Sequence, residues 1–268
     1  MAIIAMVSAK GSPGVSTAAL ACTLSWSHPT LLAECDPAGG DILAGYLSGL
    51  EIPARGLLQL AVADLRGRAR EEFPHQLVDL DAGDPGRRLV LPGVSDPVQA
   101  GTLRPTWERL AAFFSELEHQ GRGIDVIADC GRLTTSAPPW PLVHRADLVL
   151  LVLRPSSVRT ILPALPAVAQ LRRELTENGR GPGALALLTI GDPTYGDREL
   201  EQRLGLSILA KLPDDPRSAQ VLSDGGRLRR NPDLLRAAAS MEPLARRAIT
   251  ERRTRLSSPA TRTEASRA

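Results

Sequence analysis

Seven short apolar runs, each followed by a longer amphipathic stretch, constrain the fold of this 268-residue chain more than any single residue does. They cover residues 3–7, 30–35, 88–91, 124–129, 148–153, 185–189 and 207–212. Runs of this length, apolar on successive residues, suit strands buried on both faces, and parallel strands need a crossover to return the chain. The stretches between them supply such crossovers as helices over 16–27, 56–65, 104–120, 158–178, 197–204 and 217–223, with a last helix over 232–252. The alternation predicts an α/β fold, a single doubly wound and mostly parallel sheet of about seven strands with helices on both faces. Segment 66–86 is charged and broken by Pro74, Gly83 and Pro85, which reads as a loop with an edge hairpin and not as a domain boundary. One domain is therefore expected over 1–256. Residues 257–268, rich in Ser, Thr, Ala and Arg without apolar periodicity, are expected to form a disordered tail.

Composition narrows the function classes. A hydrophobic content of 43% allows a sizeable core at this length. No apolar run reaches the roughly 18–20 residues of a membrane span, and residues 2–7 enter a strand with no basic leader or cleavage site, so a cytoplasmic location is expected. Cys22, Cys35 and Cys130 are odd in number and far apart, and His28, His75, His119 and His144 do not approach them at zinc-ligand spacing. A net charge of +2 argues against electrostatic nucleic-acid binding by the molecule as a whole. Among 32 basic residues only Lys10 and Lys211 are lysine, so each lysine stands out.

Lys10 opens the segment that carries chemistry. The first strand ends at Val7 and Ser8, then Lys10-Gly11-Ser12-Pro13-Gly14-Val15-Ser16-Thr17 leads directly into an alanine-rich helix. Strand, glycine loop and helix in that order suit a polyphosphate: Gly11 and Gly14 let backbone N–H groups turn inward, and the helix adds its positive amino end. Ser16 falls where a hydroxyl reaches Mg²⁺. A strand-to-helix turn that binds nothing looks the same locally. Two more features separate the readings. The second strand runs out through Glu34-Cys35-Asp36-Pro37-Ala38-Gly39-Gly40-Asp41, and the fourth through Asp129-Cys130-Gly131. In open α/β sheets ligands lie beyond the carboxyl ends of the strands, so Asp129 is placed to hold Mg²⁺ through water and Asp36 to orient an attacking water. Each acid alone would be read as a turn or cap residue. Together, in chain order, they point to a phosphate site.

These residues resemble the ParA/MinD family of P-loop NTPases, of the SIMIBI class, whose deviant Walker A motif reads Lys-Gly-Gly-x-Gly-Lys-Thr. Lys10 matches the signature lysine that crosses a nucleotide-sandwich dimer to the partner's phosphates. Asp36 matches the acid of the second motif, Asp129 the Walker B aspartate, and Leu212-Pro213-Asp214-Asp215 the late Pro-x-Asp segment beside the base. The resemblance implies ATP and Mg²⁺ as cofactors and a homodimer. It makes Lys10 and Asp36 catalytic, Lys10 through Thr17 the phosphate cradle, Ser16 and Asp129 the metal residues, and Pro213 and Asp214 base contacts. The chain departs from the motif at Ser12, Pro13 and Val15, the last standing where a lysine would contact the β- and γ-phosphates. Loss of that charge weakens hydrolysis more than binding. Such a loop, with Gly40-Asp41, is similar to the Tad/Flp pilus-assembly branch, relatives of TadZ and CpaE, and to septum-site-like proteins. The implied partner is a pilus, secretion or division system.

Two surface readings remain. From Gly225 to Arg255 nine arginines face three acids, either a weak non-specific DNA surface of the kind ParA relatives carry or a solvated helix face. Apolar residues after Leu244 are sparse and no aromatic anchor follows, which disfavours a membrane-surface helix. Trp107, Phe113 and Phe114 fall on one amphipathic helix as core residues, and Cys35 and Cys130 read as small buried residues at strand ends. The function readings are an ATP-dependent dimerising switch with weak or no hydrolysis, a pseudo-ATPase scaffold without turnover, and a DNA-associated partition protein.

Overall fold

In a computed structural model that describes residues 2–10, 13–81, 83–94, 96–119, 123–135, 137–178 and 180–257, all seven apolar runs are strands of one sheet. The first half of the chain contributes β1 (Ile3–Ser8), α1 (Val15–Ser25), β2 (Thr30–Glu34), α2 (Leu57–Leu65), α3 (Ala69–Glu72), β3 (Val78–Asp79), β4 (Arg88–Leu91), α4 (Pro97–Ala100), α5 (Thr106–His119) and β5 (Asp125–Arg132). The second half contributes α6 (Trp140–Arg145), β6 (Leu148–Leu153), α7 (Val158–Ile161), α8 (Ala164–Glu177), β7 (Leu185–Ile190), α9 (Asp197–Leu204), β8 (Ile208–Leu212), α10 (Pro216–Asp224) and α11 (Asp233–Ser257). Strand order is β3-β4-β2-β5-β1-β6-β7-β8, with every pairing parallel except that of the edge strand β3 with β4.

The eighth strand comes from the segment expected to hold an edge hairpin: Val78 pairs with Val90 and Asp79 with Leu89. Two residues carry no period, which is why the run count gave seven. The helix expected over 158–178 is two helices, with Pro163 at the amino-terminal cap of α8, because proline has no N–H to continue the ladder of α7. At six residues, α6 is too short to show a helical period. The expected tail lies outside the described residues beyond Ser257.

Alternation along β1 sorts the two layers. Ile3, Ala5 and Val7 face the layer covered by α2, α5, α6, α8 and α9, which holds Trp107, Phe114, Cys35 and Cys130, with Phe113 packed against it. Ile4 and Met6 face the layer covered by α1, α10 and α11. Among the described residues no helix is long and apolar enough to cross a membrane.

The arginines of α11 have a specific use. At the amino-terminal end of the sheet the buried Asp125 accepts the Ala2 N–H at 2.8 Å and pairs with Arg246. The buried Asp147 accepts the Ile3 N–H at 3.1 Å and pairs with Arg180 at 2.8 Å and Arg253 at 2.9 Å. Arg252 donates to the Asp147 carbonyl. Glu242 accepts the Ser27 N–H and Oγ–H at 2.7 and 2.9 Å, and the Trp26 indole donates to the Ala238 carbonyl, so the carboxyl end of α1 is tied to one turn of α11. On the surface Arg229, Arg236, Arg247 and Arg255 have acid partners in Asp215, Asp233 and Glu251. The segment read as a basic patch is largely occupied within the molecule.

Candidate functional site

Strand β1 lies between β5 and β6, so the loop that leaves it emerges at the middle of the sheet's carboxyl edge. Gly14 caps α1 in the left-handed region, φ 103° and ψ 38°, and a Cβ there would lie 3.2 Å from the Ile190 methyl, so only glycine fits. No side chain caps α1 and no acid sits in its first turn, which leaves the helix's amino end electropositive toward the loop. Lys10 is exposed at the start of the loop, and Pro13, Ser16 and Thr17 are half-buried at its end. Gly11 and Ser12 lie outside the described residues. Val15 is buried in the layer between α1, the sheet and α11, so the side chain at the expected lysine position is part of the core.

Acids gather on the β2 and β5 side of the loop. Asp129 is buried in register with Glu34 and accepts the Gly131 N–H at 3.0 Å, with the Ser16 hydroxyl close enough to favour its ionised form. Burial raises its carboxyl to about 7, against the favourable effect of the Ser16 hydroxyl and with Asp36 and Asp41 adding repulsion. The buried Glu34 is also pushed up to about 7, chiefly by burial, although the Gly93 and Ile42 N–H groups donate to it at 3.0 and 3.1 Å. Asp36 takes the Ala38 N–H at 2.8 Å, and its carboxyl is raised by burial despite that bond and the nearby Arg132. A side chain at Gly131, φ 61°, would collide with the Asp36 carboxylate, so this glycine lets the tips of β2 and β5 close on each other. A hydroxyl beside a buried carboxylate whose ionised form lacks compensation is an oxygen donor set suited to Mg²⁺. These residues fit the ion.

Cations gather on the other side. Arg154, immediately after β6, bonds Asp214 through Nη1, at 3.0 Å to each carboxylate oxygen. A cavity of about 300 Å³ beside it is lined by Ala9, Lys10, Pro13, Ser157, Arg159 and Thr160, among others. A second cavity of about 340 Å³, on the opposite flank of the loop, is lined by Ser16, Thr17, Asp41 and Asp224, among others. Between Pro13, Gly14, Ile190, Pro213 and Asp214 there is room for only about 40 Å³, too little for a purine while Arg154 holds Asp214. Asp215, the second acid of the late motif, caps α10 by accepting the Ser218 N–H at 3.1 Å, and its bond from the Ser218 hydroxyl holds it below the usual carboxylate range.

The structure thus brings Lys10, Pro13, Gly14, Ser16, Thr17, Asp36 and Asp129 to one edge of the sheet, with Pro213 and Asp214 two strands beyond β6 on that edge. Sequence reasoning passed over Glu34, which ties together the loops that follow β2 and β4, and Arg132 and Arg154. Arg154 follows an apolar run as directly as Asp36 and Asp129 approach the ends of theirs, and the strand-tip rule applies to it equally.

No protein-family model matches the chain, and no curated protein matches it by sequence. Solved structures do match. MinD from Aquifex aeolicus superposes with a TM-score of 0.67 at 18% identity, over 93% of this chain and 98% of that one. A ParA family ATPase from Chlorobium tepidum gives 0.67 at 15%, over 89% and 96%. Cyanothece McdA carrying D38A, in complex with ATP, gives 0.65 at 17%, over 90% and 96%. The chain has the fold of MinD and ParA ATPases.

Proposed function

We propose that this chain is a Mg²⁺-dependent ATP-binding switch of the MinD/ParA type, with weak or no hydrolysis, that dimerises on nucleotide and positions or assembles a partner machine. The observation that carries the reading is the meeting of the uncapped α1 amino end, the Ser16 hydroxyl and the buried Asp129 at the middle of the sheet's carboxyl edge. Backbone N–H groups from Gly14 through Thr17 cradle the phosphates, and Ser16 and Asp129 hold the ion, which when bound neutralises phosphate charge. Asp36 orients water. Lys10, exposed and without an acid partner among the described residues, is free to reach a partner subunit's phosphates. Pro213 and Asp214 border the base.

Low turnover follows from Val15, whose buried side chain supplies no charge to a phosphate. The same observation favours a second reading, a pseudo-ATPase scaffold that binds without turnover. Hydrolysis that disappears in Asp36→Ala excludes the scaffold. The pilus-assembly or septum-site assignment rests on the atypical loop with Gly40-Asp41. The arginines of Gly225–Arg255 lend little support to DNA binding, since most are engaged within the molecule. Sizing and thermal unfolding with and without Mg·ATP test the proposal. A higher melting temperature and a dimer are expected, and no response in either removes nucleotide control.

A further inference from the structure

We infer that Arg154 binds the nucleotide's phosphates in cis and supplies the positive charge that Val15 cannot, an inference that rests on the nucleotide reading above. Strand β6 is the neighbour of β1, with Val7 in register with Leu151, so the residue after β6 emerges beside the start of the phosphate loop. Arg154 lines both cavities that meet at Pro13, the larger one with Lys10 and Arg159 and the smaller one with Gly14 and Thr17. Charge around the loop is unevenly divided: Glu34, Asp36, Asp41 and Asp129 lie on the β2 and β5 side with Arg132 as the cation beside Asp36, and Lys10, Arg154 and Arg159 lie on the β6 side with Asp214 as the acid on Arg154. A polyphosphate held between them would meet Mg²⁺ on one flank and needs a fixed cation on the other.

The present partner of Arg154 does not compete strongly. Its side chain and that of Asp214 are 40% and 50% exposed, and an ion pair so exposed is weak and readily exchanged. Only Nη1 of the guanidinium is used on Asp214, which leaves the rest of its planar fork for phosphate oxygens. Moving the guanidinium to phosphate would also release Asp214 from the rim of the 40 Å³ cleft and widen it.

Equilibrium titration of Mg·ATP and Mg·ADP into the full chain and into Arg154→Ala, Arg154→Lys and Arg247→Ala tests this. Arg154→Ala should lose roughly ten-fold or more in ATP affinity, with part recovered in Arg154→Lys. Arg247→Ala removes the same charge at an exposed position of α11, where the arginine pairs with Glu251, and should bind as tightly as the unmodified chain. Unchanged affinity in Arg154→Ala, or equal losses in Arg154→Ala and Arg247→Ala, overturns the inference and leaves the nucleotide reading intact. An unmodified chain that binds neither nucleotide removes that reading, and the inference with it.

Discussion

At the amino-terminal end of the sheet, Asp125 and Asp147 are buried against arginines from α11 and against the backbone amides that open β1. At the carboxyl end Glu34 and Asp129 are buried as deeply, but they meet backbone amides, one hydroxyl and other carboxylates. Burying a carboxylate is tolerated when a cation and hydrogen bonds compensate it, and otherwise its proton is held more tightly. One end is therefore closed as structure. The other keeps a need for positive charge that a bound ion can meet.

The largest expected effect tests the closed end. Asp147→Ala strands Arg180 and Arg253 and removes the acceptor of the Ile3 amide, so urea unfolding should show a loss of about 3–5 kcal/mol. A loss under about 1 kcal/mol would mean that the arginines of α11 are held loosely and remain open to other partners.

Asp129→Asn should act in the opposite direction without ligand. Because the folded-state carboxyl is raised to about 7, the folded protein binds protons more tightly than the unfolded chain between the ordinary carboxylate range and pH 7. Stability then falls as pH rises through that window. At pH 8 the neutral amide should raise stability by about 1–3 kcal/mol. Glu34 is raised to about 7 for the same main reason, so Glu34→Gln with Asp129→Asn should flatten the decline of ligand-free stability from pH 5 to 8. A decline of equal slope in the double variant would place its source elsewhere.

A smaller effect comes from the loop. Gly14→Ala forces a Cβ into the left-handed region beside Ile190 and should cost about 1–2 kcal/mol by the same unfolding measurement. Smallest of all, Arg247→Ala removes an exposed pair with Glu251 and should leave the unfolding midpoint unchanged. The contrast with Asp147→Ala separates the inward from the outward arginines of one helix.

Most of the sheet was legible because strand runs and helix periods are local signals, and because strand-tip acids are placed by topology alone. What escaped was short or tertiary. β3 has two residues and α6 has six, below the length at which a period shows. Arg246 and Arg253 looked like part of a patch because their partners Asp125 and Asp147 lie more than 100 positions away. Val15 was visible as a missing lysine, but its burial in the layer shared by α1, the sheet and α11 is a result of tertiary packing. Glu34 and Arg154 escaped because their partners Gly93 and Asp214 lie 59 and 60 positions away and meet them only in the fold.

The ligand-induced thermal shift with Mg·ATP, followed from pH 6 to 8 in the unmodified chain and in Asp129→Asn, tests the contrast between the two ends most directly. In the unmodified chain the shift should grow with pH as Asp129 gives up its proton and can hold the ion, and in Asp129→Asn it should be small at every pH. A shift of equal size in both proteins would contradict a metal-holding role for the open end of the sheet.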